Sequence, residues 1–124
     1  MEFKSPVMPS PKRVILLGTM TEAWYGATEE ERRTKILPRF VELVREWTDL
    51  GARVLATLDD DLFMVGQPRS GGATFYLMYN VDELGTVVEM IQRIRESVDG
   101  VRMDQYVHFE ARIGRPFFLL EPAQ

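Results

Sequence analysis

Residues 105–113, QYVHFEARI, restrict the folds open to this chain more than any other segment. Taken as a strand with a period of two, they put Tyr106, His108, Glu110 and Arg112 on one face and Val107, Phe109, Ala111 and Ile113 on the other. The apolar side is a stripe for a core. The polar side sets the only histidine of the chain beside an acid, a cation and a phenol. Such a row lines either a ligand cavity or a hydrogen-bonded subunit interface. A strand with two such different faces belongs to an antiparallel sheet with a core on one side.

The rest of the sequence supplies the partners of that strand. Residues 13–21 (RVILLGTMT) are almost continuously apolar, as a central strand should be. Trp24, Tyr25 and Gly26 follow as a loop able to act as an aromatic flap. Thr28 and Glu31 have the spacing of an N-cap and its third helical position, with Glu29 and Glu30 suiting the positive end of the helix dipole. Ile36, Leu37, Phe40, Val41, Leu43, Val44, Trp47 and Leu50 then recur at helical spacing up to Gly51, and Pro38 should bend or divide that helix. Residues 52–58 form a second strand, which 62–65 extend beyond a kink, and 66–72 (GQPRSGG) a turn-rich loop. Residues 73–80 form a third strand. Asn80 or Asp82 caps a helix over 83–98, and Asp99-Gly100 ends it.

The order β-α-β-β-α-β is the ferredoxin-like, α+β arrangement, with a four-stranded antiparallel sheet and two helices crossing on one face. Ile15, Leu17, Thr19, Thr57, one parity of Tyr76 to Tyr79 and the polar row are then expected on the uncovered face. So much apolar surface predicts a two-fold homodimer that pairs two sheets into an α/β barrel. At 124 residues the chain makes one domain, expected over 13–114, with a flexible leader over 1–12. The apolar tail over 115–124 is expected to pack on the domain or on the partner subunit. A formal net charge of −4 with no basic stripe speaks against nucleic acid, and no run is long and apolar enough for a membrane span. The absence of cysteine removes disulfides, thiolate nucleophiles and zinc–cysteine clusters, and a cytoplasmic setting fits it.

His108 can serve as general acid or base, with Glu110 orienting it, or can be tied into an interface. Glu110 and Arg112 can pair with each other, or Arg112 can grip a ligand carboxylate, a role for which Arg53 and Arg115 compete. Asp59-Asp60-Asp61 lacks the spacing of a calcium loop and reads as a turn or bulge, with one aspartate free to face a cavity mouth. Tyr76, Tyr79, Tyr106, Trp24 and Tyr25 can wall an aromatic-ligand pocket or simply pack. No metal site or cofactor is expected.

On this element order the chain resembles the dimeric α/β-barrel superfamily, whose members include cofactor-free monooxygenases, isomerases, dehydratases and stress-response domains. Through LDDDLFMVG (58–66), ATFYLMYNVDELGTVVEM (73–90) and FEARIGRPFF (109–118) it is similar, more narrowly, to the IacB-type proteins of indole-3-acetate catabolic clusters. The loop QPRSGG lacks the tryptophan-rich segment expected there. The resemblance implies a pathway role and adds weight to Asp59, Asp60, Arg112 and Arg115. Two functions are expected on these grounds. One is a cofactor-independent enzyme acting on an aromatic or hydroxylated aromatic acid: His108 and Glu110 catalytic, and Arg112, Arg53, Tyr76, Tyr106, Asp59 and Trp24 around the substrate. The other is a non-catalytic binding or accessory protein of such a pathway.

Overall fold

Four antiparallel strands form one sheet in the order β2-β3-β1-β4, which is consistent with a ferredoxin-like α+β fold. The computed structural model describes residues 12–63, 65, 66, 72–117, 119 and 120. Residues 1–11, 64, 67–71, 118 and 121–124, with most of the expected leader, most of the Gly-rich loop and the end of the tail, lie outside the described residues. Strand β1 (Lys12–Met20) is central, between β3 (Phe75–Val81) and β4 (Val107–Gly114), and β2 (Arg53–Asp59) is the far edge.

The helical layer begins with α1 (Glu22–Gly26), where a loop was expected. Thr21 makes it a helix by accepting from the Trp24 N–H at 3.4 Å, while its hydroxyl donates to Gln105 O at 2.6 Å. Next come α2 (Glu29–Glu31), a π-helical turn (Arg32–Ile36) and α3 (Leu37–Asp49) in one unbroken run. Thr28 caps this run as expected, accepting from the Glu31 N–H at 3.0 Å and donating to Glu31 Oε1 at 3.1 Å. Pro38 has no N–H to give the carbonyl four residues back, and its ring crowds that carbonyl. The chain answers with a wider turn just before it, in which the Leu37 N–H reaches Arg32 O.

The last helix, α4 (Leu84–Ile94), is shorter than expected. Glu83 occupies its N-cap position without a side-chain cap; Asn80 lies in β3, paired with Arg13 of β1, and the Asp82 carboxylate accepts from Arg53 while its backbone carbonyl accepts from Lys12. Beyond it Val98 and Val101 pair across Asp99-Gly100, whose φ values of 52° and 79° make the tight turn an Asp-Gly pair favours. A 3₁₀ turn (Met103–Gln105) leads into β4, so Tyr106 is the residue closing that turn and not part of the strand.

One face of the sheet carries the core. Val14 and Leu16 of β1, Leu77, Tyr79 and Val81 of β3 and Val107 of β4 are buried beneath Leu43 and Trp47 of α3 and Val87, Met90 and Ile94 of α4. Trp47 meets Tyr79 and Phe109 edge to face, and its indole N–H donates to Met90 O at 3.1 Å, tying the helices together. Phe75, opposite Gly18, reaches over the strand: a Cβ on Gly18 would lie 2.1 Å from the ring.

The edge strand β2 brings the main departure from simple alternation. Its pairing with β3 slips between Val54 and Ala56, a bulge that leaves Leu55 over. Thr57 therefore pairs with buried Leu77, and Asp59 with Phe75, on the helix side; the uncovered side receives Leu58 instead of Thr57. Leu62, Phe63 and Val65 do not prolong the strand and are largely exposed.

Candidate functional site

The sheet has two usable faces, and the expected site residues divide between them. On the uncovered face, half-buried Ile15, Leu17, Tyr76 and Met78 form the floor. Ile15, Ala56, Thr57, Leu58, Tyr76 and Met78 border a depression of about 250 Å³ there. Glu110 and Arg112 stand beside this floor on β4, opposite Leu17 and Ile15, and His108 stands opposite Thr19. Glu110 is held by Arg112, whose Nε and terminal nitrogen both lie 3.2 Å from its Oε2, so this carboxylate is engaged by the guanidinium and not by the imidazole. Both partners are exposed. His108 is exposed too, and among the described residues it has no hydrogen-bond partner to fix its ring.

Arg53 does not join Arg112. It sits on the opposite edge strand, three strand spacings or about 14 Å away, and makes a two-pronged contact with Asp82 at 3.1 and 3.4 Å. Tyr76 places its hydroxyl 3.1 Å from Asp60 Oδ2 and 3.2 Å from Ala73 O. The hydrogen bond to Asp60, then burial and the negative charge of Asp60, push the Tyr76 phenol above the ordinary tyrosine value. The aspartate triplet behaves as a turn: Asp59 ends the strand, the Asp60 N–H donates to Thr74 O at 3.0 Å, and Asp61 is exposed. Among the described residues no cluster of acids and histidine is arranged to hold a metal ion. Arg115 and Phe117 are exposed, as are Leu119 and Leu120.

On the covered face lies a site that sequence periodicity did not disclose. A cavity of about 290 Å³ opens between the β2–β3 edge of the sheet and the start of α3. Its walls are Met20, Trp24, Ile36, Leu37, Phe40, Phe75, Leu77, Met103 and Val107, with Thr57, Leu58 and Asp59 along β2. Each wall has a local cause. The π turn displaces Ile36 and Leu37; Thr21 pins α1, hence Trp24, to the 3₁₀ turn that carries Met103; and the bulge turns Thr57 and Asp59 inward. Phe40, Phe75 and Phe109 pack together behind it, with ring centroids 5.8 to 6.2 Å apart.

Arg32 places its guanidinium 5.4 Å from the Trp24 ring centroid. It donates to Trp24 O and Tyr25 O at 2.9 Å each. Among the described residues no lysine or arginine lines the cavity, and Thr57 and Asp59 bring polar side chains to it. Of the residues singled out from sequence, Trp24 and Asp59 meet here, while Glu110, Arg112 and Tyr76 face the other side; His108, on the edge strand, borders depressions lined by Arg95 of the α4 end and by Asp104 and Gln105 of the 3₁₀ turn. Tyr106 packs at the margin of the core. Phe40 was legible only in the helical stripe and Thr57 only as a strand residue expected on the uncovered face, and nothing in the sequence singled out Met103. The chain matches no protein-family model and no curated protein.

Proposed function

We propose that the protein binds a small, flat, largely apolar molecule, aromatic in class, in the cavity between β2, β3 and the start of α3, as a binding or accessory protein of aromatic-compound metabolism. The observation that carries this reading is the cavity itself. Its volume of about 290 Å³ lies at the small end of ligand pockets, roughly 300–1,000 Å³, which suits one or two fused rings. Its walls pair aromatic surfaces (Trp24, Phe40, Phe75) with adaptable Met20 and Met103. The resemblance of residues 58–66, 73–90 and 109–118 to IacB-type proteins implies a role in such a pathway. Titration of isotope-labelled protein with benzene-, phenol- and indole-type fragments should shift the resonances of Trp24, Leu37, Phe40 and Met103 first. Leu37→Trp, which fills the mouth, should abolish the shifts. No response from these residues would sink the reading.

A second reading has one observation in its favour, the polar row beside an apolar floor on the uncovered face. If two copies paired those faces as a two-fold dimer, His108, Glu110 and Arg112 would border an enclosed space. His108 would then move a proton in cofactor-free isomerisation, dehydration or oxygenation of an aromatic acid held by Arg112. In that case His108→Ala and Glu110→Gln would each lower turnover in a reconstituted pathway by at least about a hundredfold, the low end of a general acid–base contribution of about 10²–10⁴-fold. Fragment shifts centred on Ile15, Tyr76 and His108 would favour this reading over the first.

A further inference from the structure

The character of the cavity mouth narrows the ligand class. The β2 bulge shifts the register so that Thr57 and Asp59 turn toward the cavity. Bulges recur where a strand has to re-aim a side chain. The carboxylate so placed is exposed at the end of the strand, and among the described residues no cation pairs with it. Asp60, next to it, is occupied by the Tyr76 hydroxyl. Arg32 stands over Trp24, but its guanidinium donates to two carbonyl oxygens and lies against the indole ring.

An anionic ligand would therefore bring a second negative charge to Asp59 without a lining cation among the described residues to offset it, and like charges at close range disfavour binding. From this we infer that the ligand of the cavity carries a cationic or hydrogen-bond-donating end, an arylalkylamine in its simplest form, with the ring among Trp24, Phe40 and Phe75 and the nitrogen at Asp59. This inference rests on the cavity reading above and specifies its ligand. It runs against the aromatic acid expected from the arginines, because those arginines lie on the other sheet face or at its far edge.

Three probes of nearly equal size separate the possibilities: 2-phenylethylamine, n-propylbenzene and phenylacetate, titrated by calorimetry and by the resonances of the cavity residues. The amine should bind about threefold to tenfold more tightly than the hydrocarbon, as expected for a charge-assisted hydrogen bond at a partly solvated site. Phenylacetate should bind more weakly than both. In Asp59→Asn the ratio of amine to hydrocarbon affinity should fall to about one. Equal binding of amine and hydrocarbon by the unaltered protein, or a preference for phenylacetate, would overturn the inference and leave the cavity reading standing. Failure of all three probes to bind would overturn both.

Discussion

At the scale of single residues, the most demanding contact is between Gly18 and Phe75. Gly18 has ordinary strand geometry, so glycine is needed there for space: the Phe75 ring occupies the volume that a Cβ would fill. Gly18→Ala must push the ring away from Phe40 and Phe109 and should cost about 1–3 kcal/mol in urea unfolding. Phe75→Leu in the same chain should recover part of that loss, a coupling expected of residues in contact. Tyr76 offers a second measurement at this scale. Its phenol, raised first by the bond to Asp60, and that of Tyr79, raised by burial, should ionise above the ordinary tyrosine value in a spectrophotometric titration. Asp60→Asn should bring Tyr76 back toward the ordinary value and leave Tyr79 late. A Tyr76 that titrates unchanged in Asp60→Asn would refute the assigned contact.

At the scale of elements, α3 and α4 are joined by a charged bridge as well as by Trp47. Arg39, buried on the inner face of α3, pairs with Glu46, and Glu46 also accepts from Arg93 of α4 at 2.8 Å. Burial acts to raise the Glu46 carboxyl, but the hydrogen bonds and charges of Arg39 and Arg93 outweigh it and hold the group below its ordinary value. A carboxyl whose folded value is depressed adds stability above its unfolded value, and that stability is lost as pH falls through the folded one. Unfolding measured from neutral pH downward should therefore show a loss of stability that begins in the ordinary carboxylate range, near 4.5, and is blunted in Glu46→Gln.

Glu46→Ala should cost about 2–4 kcal/mol, because it leaves the buried guanidinium of Arg39 with only Glu42, 3.7 Å away. Arg39→Met should cost far less, since it also removes two buried donor groups, Nε and Nη2, that have no partner. A larger loss in Arg39→Met than in Glu46→Ala would show that the charged bridge, and not the packing around it, sets the helix pairing.

At the scale of the whole molecule, the uncovered sheet face decides how the chain behaves in solution. Ile15, Leu17, Tyr76 and Met78 lie there with no helix above them among the described residues, and Leu58 at the edge is 60% exposed. The face-to-face homodimer proposed above would bury this surface. In sedimentation and native mass spectrometry the unaltered protein should then be dimeric and Leu17→Asp monomeric. Because the cavity opens on the other side of the sheet, the Leu17→Asp monomer should still bind fragments there. A dimer that survives Leu17→Asp would place the subunit contact elsewhere.

The elements were legible in the sequence because each rests on local chemistry. Alternation marks β4, the Thr28–Glu31 spacing starts the long helix, and Pro38 disturbs it where expected. From those elements the strand order follows, since right-handed crossovers leave few alternatives. What the sequence could not show was which side chains share a space. Thr57 and Asp59 look toward the cavity because the chain slips by one residue at Leu55, and such a slip is set by pairing with β3 and by nothing local to β2. Tyr106 left the polar row because a 3₁₀ turn delays the strand by two residues. Glu110 turned to Arg112 rather than His108 because a cation on the next residue of the same face outcompetes a ring with nothing to hold it. The sequence by itself determined the elements and their order, which depend on neighbours along the chain. The tertiary structure decided the cavity and its charge, which depend on the packing of β2, β3, α1 and α3 around one space.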